Sequence, residues 1–303
     1  MASAGSDRWL VFIDTNIFLD FYRQGGESAA RQLAALDRHS TALITNAQVK
    51  MEFLKNRQKV IVDSLGKMQK PSKMSVPPIL ADFAPSRNLQ DNLDAAGKAY
   101  AEVRDKIEAI LNDPEHHDPV FKDLSRLFDS ASPLNLTADH ERSGEIHKLA
   151  RDRFALGQPP RKSSDTSYGD GVNWEWIVAC AKQNAERPVL IVSRDGDYGT
   201  ATSDTWTLND YLKFEFARRV GPKRQIELSA RLTTALKRLD EHVTAEDEYE
   251  ENRLLAESPR FGLDRAGLET LRAAARDGSN IPNWFSDLVT EVNHLQSAGA
   301  VKD

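Results

Sequence analysis

A single cysteine, Cys180, excludes an internal disulfide, and no Cys/His cluster stands at zinc spacing. No stretch reaches the ~18 consecutive apolar residues of a membrane span. The N-terminal MASAGSDRWLVFID lacks a basic region followed by a long apolar one, so no secretion signal and a cytoplasmic, membrane-free protein are expected. There is no glycine-rich phosphate loop and no Gly-x-Ser-x-Gly elbow, which removes P-loop and serine-hydrolase chemistry. Internal repeats are absent too. What remains is a 303-residue chain, 40% hydrophobic, long enough for at least one substantial core.

Positive charge is also in short supply: 40 Lys and Arg stand against 46 Asp and Glu, a net −6. Taken as an average this argues against a polyanionic partner, but the charge is unevenly spread. Residues 231–303 hold 9 basic and 14 acidic side chains, so most of the excess is in the tail. From Lys50 to Lys73 there are seven basic residues and only two acids, Glu52 and Asp63. Arg218, Arg219, Lys223 and Arg224 form a second, smaller basic cluster. Such runs are commonly solvated helix faces, and they gain meaning only beside a site that needs a polyanion.

Short apolar runs alternate with helical patterns, which predicts an α/β fold on a parallel sheet. WLVFID (9–14), TALIT (41–45) and PVLIVSRD (188–195) read as strands, with RQIELSA (224–230) a last short one. Helices are expected over 27–38, from a cap at Asn46 to the break at Pro71, over 89–111, 119–129 and 137–156, and in NWEWIVACAKQNA. ALKRLDEH reads as a helix, EDEYEEN (246–252) as a linker or solvated helix, and the last 70 or so residues as a small helical appendage. RKSSDTSYGDG (161–171) reads as an exposed loop, and the block between Pro71 and that loop offers no strand.

Asp14, Glu52, Asp170 and Asp195 form the informative constellation. Asp14 and Asp195 end predicted parallel strands, where open α/β folds place their sites. Glu52 lies on the helix after the second strand and Asp170 at the start of the helix after the polar loop. Clustered carboxylates repel one another and need a counter-charge, which a hard divalent cation with oxygen ligands supplies. Such an ion lowers the pKa of a bound water and clamps the oxygens of a phosphoryl displacement, so the suggested chemistry is phosphodiester hydrolysis.

The blocks FIDTNIFLD (12–20), TNAQVKMEF (45–53), YGDGVNWEWIVACA (168–181) and LIVSRDGDYG (190–199) resemble the PIN-domain nucleases, in particular a PIN-like branch with a long helical insertion. The resemblance implies a three-layer α/β/α fold with a central parallel sheet. It implies a PIN-like nuclease domain over 1–230, a helical insertion over about 60–158 and a helical C-terminal appendage over 231–303. Asp14, Glu52, Asp170 and Asp195 would be the catalytic and metal-binding acids, taking one or two Mg2+ or Mn2+ ions, with Asp197 an auxiliary carboxylate. Asn16 would organise the first motif, and Thr15 and Ser193 would add hydroxyls. Many members are metal-dependent ribonucleases, including toxins of toxin–antitoxin pairs, and members often dimerise. RNA is therefore the expected partner, with a homodimer and an antitoxin or other protein partner as further expectations.

Each feature also has a plainer reading. Asp-Thr-Asn is a common turn, Glu52 could be an exposed helix residue, and Asp170 could simply cap a helix. Asp165 reads as a solvated loop carboxylate, and Trp174 and Trp176 as core residues rather than base-stacking platforms. Cys180 reads as a small buried residue, and no histidine pair has ligand spacing. Lys50, Lys55, Arg57 and Lys59 share the helix that carries Glu52, and are the candidates to hold RNA phosphates. The expected activity is metal-dependent endoribonuclease cleavage, as a toxin or defence nuclease. The rivals are a structure-specific DNA nuclease and a catalytically silent nucleic-acid-binding or scaffold module.

Overall fold

A computed structural model of the chain describes residues 9–257, apart from 67, 73–74, 162–166 and 203–204. Asp165 and the segments LDRAGLETLRAAARDG and IPNWFSDLVTEVNHLQ lie outside the described residues. The strands are β1 (Leu10–Ile13), β2 (Leu43–Asn46), β3 (Asn135–Leu136), β4 (Val189–Val192), β5 (Gly199–Thr202), β6 (Thr205–Leu208) and β7 (Ile226–Ser229). The helices are α1 (Thr15–Leu19), α2 (Gly26–Arg38), α3 (Ala47–Gly66), α4 (Ala84–Asn112), α5 (Pro114–His117), α6 (Pro119–Phe128), α7 (Ser143–Ala155), α8 (Gly169–Gln183), α9 (Asp210–Arg219), α10 (Leu232–Arg238) and α11 (Ala245–Glu257).

Five strands make one parallel sheet in the order β3-β2-β1-β4-β7, flanked by helices as a PIN-like α/β/α fold requires. LVFI and VLIV are apolar at every position because strands covered by helices on both faces have no polar side. From β1 the chain builds outward through β2 to β3, then returns to lay β4 on the other flank of β1. That reversal opens a crevice at the C-terminal ends of β1 and β4, the place where open α/β sheets hold their ligands. Asp14 follows β1 and Asp195 lies just beyond β4, so the two acids meet there.

Helix α8 is buried along nearly its whole length and forms the centre of one helical layer. Trp174 and Trp176 are fully buried within it, the indole Nε1 of Trp174 donating to Glu215 and that of Trp176 to the Leu134 carbonyl. They are core residues, as expected, and so is Cys180. Asn46 caps α3, its Oδ1 accepting from Val49 N at 2.9 Å.

The structure corrects several expectations. β3 lies in the block where no strand was expected: at two residues it is too short to show alternation, and its Asn135 is buried because its amide donates to the carbonyls of Phe128 and Ser130. The antiparallel hairpin of β5 and β6 was not anticipated, since its Thr-rich strands are largely exposed and carry little apolar pattern. Helix α3 stops at Gly66 rather than running to Pro71, α7 begins at Ser143, and α8 begins at Gly169, within the expected loop. The acidic run 246–252 is helical but not simply solvated. Asp247 and Glu251 are buried, Asp247 accepting from Ser28 and Glu251 accepting from Leu232 N and Thr233. They fix α11 to α2 and to the start of α10.

Candidate active site

Asp14 is the hub of the crevice. Its Oδ1 accepts from Thr15 N at 2.7 Å, and its Oδ2 accepts from Asn16 Nδ2 at 2.6 Å and from the Ser193 hydroxyl. Ser193 in turn accepts from Asp195 N at 2.9 Å, so one hydroxyl ties the acid after β1 to the turn after β4. Asn16 Oδ1 accepts from Arg194 N at 3.4 Å, a second stitch between the same turns. Asp195 Oδ1 accepts from Asp197 N at 3.3 Å, which closes the SRDGD turn.

Glu52 reaches the same place from α3. Its Oε2 accepts from the Thr15 hydroxyl at 3.0 Å and its Oε1 from Gln48 Nε2 at 2.7 Å. Asp170 arrives on the first turn of α8, where Gly169 packs directly on Glu52. A Cβ on Gly169 would stand 2.3 Å from Gln48 Nε2 and 2.8 Å from Glu52 Oε1, so a larger residue there must push the ends of these two side chains aside. Gly169→Ala is expected to displace Glu52 and lower nuclease activity at least tenfold while leaving the melting temperature within a few degrees. Turnover assays alongside thermal melts check this.

Burial raises the pKa of Asp14 from 3.8 to about 6, with Asp195 and Glu52 adding like-charge repulsion and the Ser193 and Thr15 hydrogen bonds opposing it. Because the folded value lies above the unfolded one, the favourable contribution of the protonated carboxyl is fully present below about pH 4. It is lost as pH rises through about 6, so without divalent ions the ionised site costs roughly 3 kcal/mol at neutral pH. Asp247 works in another window. Burial pushes its pKa up, but hydrogen bonds from Ser28, Thr244 and Arg31 outweigh that and hold it at about 2, so its contribution is lost only as pH falls towards 2. In EDTA, unfolding free energy is therefore expected to rise between pH 7 and pH 5, more for the wild type than for Asp14→Asn. Parallel slopes in urea titrations would refute it.

Tyr198 was not singled out from the sequence. It is wholly buried, and its hydroxyl has no hydrogen-bond partner among the described residues. Burial pushes its pKa well up, reinforced by Asp170, Asp14, Asp195 and Glu52, so all four acids act on this one oxygen. Its backbone is held by Asp195 O and by Asn209 N, and its ring lies 6.3 Å from that of Phe12. A tyrosine three residues past the acid of a strand-end turn has the reach to lie under the crevice, but nothing in the sequence separates it from an ordinary core aromatic. Gln48 had a clearer signal, one helical turn before Glu52.

The basic candidates divide by helix geometry. At 100° per residue, Lys59 lies about 20° and Lys55 about 60° from the direction of Glu52, whereas Arg57 and Lys50 lie about 140° and 160° away. Lys55 and Lys59 are exposed. Arg57 is buried and leaves the nucleic-acid set: it pairs with buried Asp118 at 2.6 Å and donates to Tyr22 Oη and the Ile110 carbonyl. Lys50 is half-buried and paired with Asp129 at 2.5 Å, on the side away from the crevice. In the second cluster, Arg219 is taken up by Glu175 and Glu215, and Arg224 by backbone carbonyls.

Oxygen donors on four chain segments are the donor set a hard divalent cation takes. The raised pKa of Asp14 and the partnerless Tyr198 hydroxyl both fit a site that receives a cation and its water, since a buried hydroxyl is costly unless something meets it. The acids line a common site without forming a closed cage: among the described residues, no three His, Cys, Asp or Glu side chains are grouped closely enough to hold an ion. No curated protein and no solved structure matches the chain. A family model described as the PIN domain matches residues 11–198, a span that includes all four acids, Tyr198 and the sheet crevice. The chain therefore belongs to the PIN-domain family, whose fold is of the nuclease type.

Proposed function

We propose that this PIN domain is a Mg2+- or Mn2+-dependent endoribonuclease in which Asp14, Glu52, Asp170 and Asp195 hold one or two ions. The observation that supports the reading is that Thr15 and Ser193 bring Glu52 and the turn after β4 onto Asp14 at the sheet's switch point. A bound divalent ion supplies an acidified water and polarises the scissile phosphate. The protein's own residues do the positioning. Ser193 and Asn16 hold Asp14, Thr15 and Gln48 aim Glu52, and the SRDGD turn fixes Asp195. Asp197 stands beside that turn as an auxiliary carboxylate.

Lys55 and Lys59 continue the Glu52 face of α3 outward, Lys59 about 10 Å further along the axis. This is the direction in which a backbone entering the site needs its phosphates held. Lys55→Glu with Lys59→Glu is expected to weaken RNA binding at least tenfold and to reduce the salt slope by about two phosphate contacts. Arg57→Met is expected instead to destabilise the fold by about 3–5 kcal/mol, because Asp118 stays buried without its cation. Salt-dependent binding isotherms and thermal melts of the two variants separate these outcomes.

Incubation with total RNA and Mn2+, comparing wild type with Asp14→Asn and followed by end mapping, tests the activity itself. Matched DNA oligomers decide the nucleic acid, since cleavage of DNA alone would replace ribonuclease by deoxyribonuclease. Mn2+ binding by titration calorimetry without cleavage of either polymer would make the domain a silent binding module and sink the proposal.

A further inference from the structure

Helix α9 begins beside the carboxylate crevice. The backbone N of its cap, Asn209, donates to the Tyr198 carbonyl at 2.8 Å, three residues past Asp195, and the Asn209 side chain accepts from Tyr211 N at 2.9 Å. Further along, Arg153 and Arg219 each bridge Glu175 of α8 and Glu215 of α9, so the two helices are tied side by side. Glu175 lies about 7.5 Å along α8 from Asp170, and Glu215 about 6 Å along α9 from Tyr211. Tyr211 therefore stands about level with Asp170. Tyr211 and Phe214 are 40% and 68% exposed, the large apolar side chains of α9 that face water. At 100° per residue they lie within about 60° of one another and of Arg218, turned about 120° from buried Leu212, Glu215 and Phe216. Phe214 comes about 4.5 Å beyond Tyr211 along the axis, and Arg218 about 6 Å further. Arg218 is exposed and makes no ion pair among the described residues, whereas the exposed acid of the first turn, Asp210, is met by Lys213 at 3.6 Å.

Two exposed rings and an unpaired cation, starting level with the acids, match what a single-stranded nucleic acid needs: flat faces for its bases and positive charge for its backbone. A helix that docks on a protein instead repeats aliphatic side chains at i, i+3 or i+4 and i+7. Here the i+7 position from Tyr211 is Arg218, and no aliphatic residue of α9 is strongly exposed. Building on the ribonuclease reading, on which this rests, we propose that Tyr211 and Phe214 form a stacking platform for unpaired bases of single-stranded RNA, with Arg218 holding a phosphate. The step of about 4.5 Å between the rings suits successive bases, since a stacked strand advances ~3.4 Å per nucleotide and an unstacked one more. Lys55 and Lys59 on α3 then hold the backbone and α9 holds the bases, so the substrate must be unpaired where it meets α9. A duplex, whose bases already stack on one another, offers these rings nothing.

Binding is read without turnover, by fluorescence anisotropy of the full-length protein in EDTA with a labelled single-stranded RNA and with the same strand annealed to its complement. Tyr211→Ala with Phe214→Ala is expected to weaken single-strand binding at least tenfold and to leave duplex binding within about twofold. Tyr211→Leu with Phe214→Leu should lose as much, because leucine keeps apolar surface but has no ring face. Tyr211→Phe with Phe214→Tyr should bind as the wild type does. Arg218→Ala is expected to lower the salt slope by about one phosphate contact. Phe214→Ala alone, at the more exposed ring, should keep the wild-type melting temperature while single-strand binding falls severalfold, which separates stacking from misfolding. Unchanged single-strand affinity in the alanine pair, or equal losses on single strand and duplex, overturns the platform. So does a leucine pair that binds as the wild type, which would mean plain apolar contact of the kind a protein partner makes, or a wild type that binds no single strand. Cleavage with Mn2+ is scored separately: cleavage without a stacking effect sinks the platform alone, and stacking without cleavage sinks the ribonuclease reading alone.

Discussion

Asp14→Asn and Asp195→Asn are each expected to lower metal-dependent RNA cleavage by about a thousandfold or more. Removing a carboxylate that would hold the ion forfeits several kcal/mol of stabilisation for the reacting phosphate, and each 1.36 kcal/mol is a factor of ten. The fold should persist in both. Burial makes the Asp14 charge costly to keep in the absence of ions, and its neutral substitute also relieves repulsion from Asp195 and Glu52. Against that, Asn cannot accept from Thr15 N, Asn16 Nδ2 and Ser193 Oγ all at once, and one of these bonds is lost, at about 1 kcal/mol. Cleavage rates with Mn2+, measured beside urea unfolding in EDTA, separate the two effects. Either variant retaining wild-type cleavage would remove the carboxylate from the mechanism.

A loss of stability as large as that of Arg57→Met is expected from Arg153→Met. Arg153 on α7 is buried between Glu175 of α8 and Glu215 of α9, at 3.0 and 2.5 Å, and it also donates to the Pro159 carbonyl. Arg219 closes the group by pairing with both glutamates, and Trp174 Nε1 donates to Glu215 at 3.0 Å. Burial raises the pKa of Glu215, but the hydrogen bonds and charges of the two arginines outweigh it and hold the carboxyl below its usual range. Methionine fills the space but leaves one buried negative charge unbalanced, at about 3–5 kcal/mol. For a protein of this size that is a fall of about 10 °C in Tm, read by calorimetry. Since α8 also carries Asp170, cleavage should decline at temperatures where the variant is still folded. Arg153→Met together with Glu215→Gln should recover part of the loss, and a double variant no better than the single one would count against a charge-balance explanation.

The sheet was legible where a strand is covered on both faces. LVFI and VLIV can be little else than buried parallel strands, and the acids that follow them fall at the crevice because strand direction fixes where the C-terminal end lies. β3 and the hairpin of β5 and β6 were not legible, one too short and the other too polar to carry a period. The basic helix was half legible. A run of Lys and Arg records charge but not direction, and only once Thr15 fixes which way Glu52 points do Lys55 and Lys59 fall on the site side and Arg57 inside. The buried Arg57 and Asp118 pair shows why: an arginine that holds two helices together has the same letter as one that holds a phosphate. Tyr198 was hidden for a related reason, since a core aromatic becomes a site residue only through what its hydroxyl meets.

The hydrogen bond from Ser193 to Asp14 joins residues 179 positions apart in the chain. During synthesis at ~5–20 residues per second, Asp14 is made about 10–40 s before Ser193 and Asp195 exist to complete its surroundings. The strand that carries the first acid cannot acquire its neighbour β4 any earlier, because the switch in strand order places the two side by side only after the whole intervening helical block has been translated. A ribosome-bound fragment that ends before Ser193 and Asp195 therefore lacks an assembled centre. A chain whose chemistry would be directed at RNA is translated beside an RNA template with Asp14 still waiting for the turn that completes its surroundings.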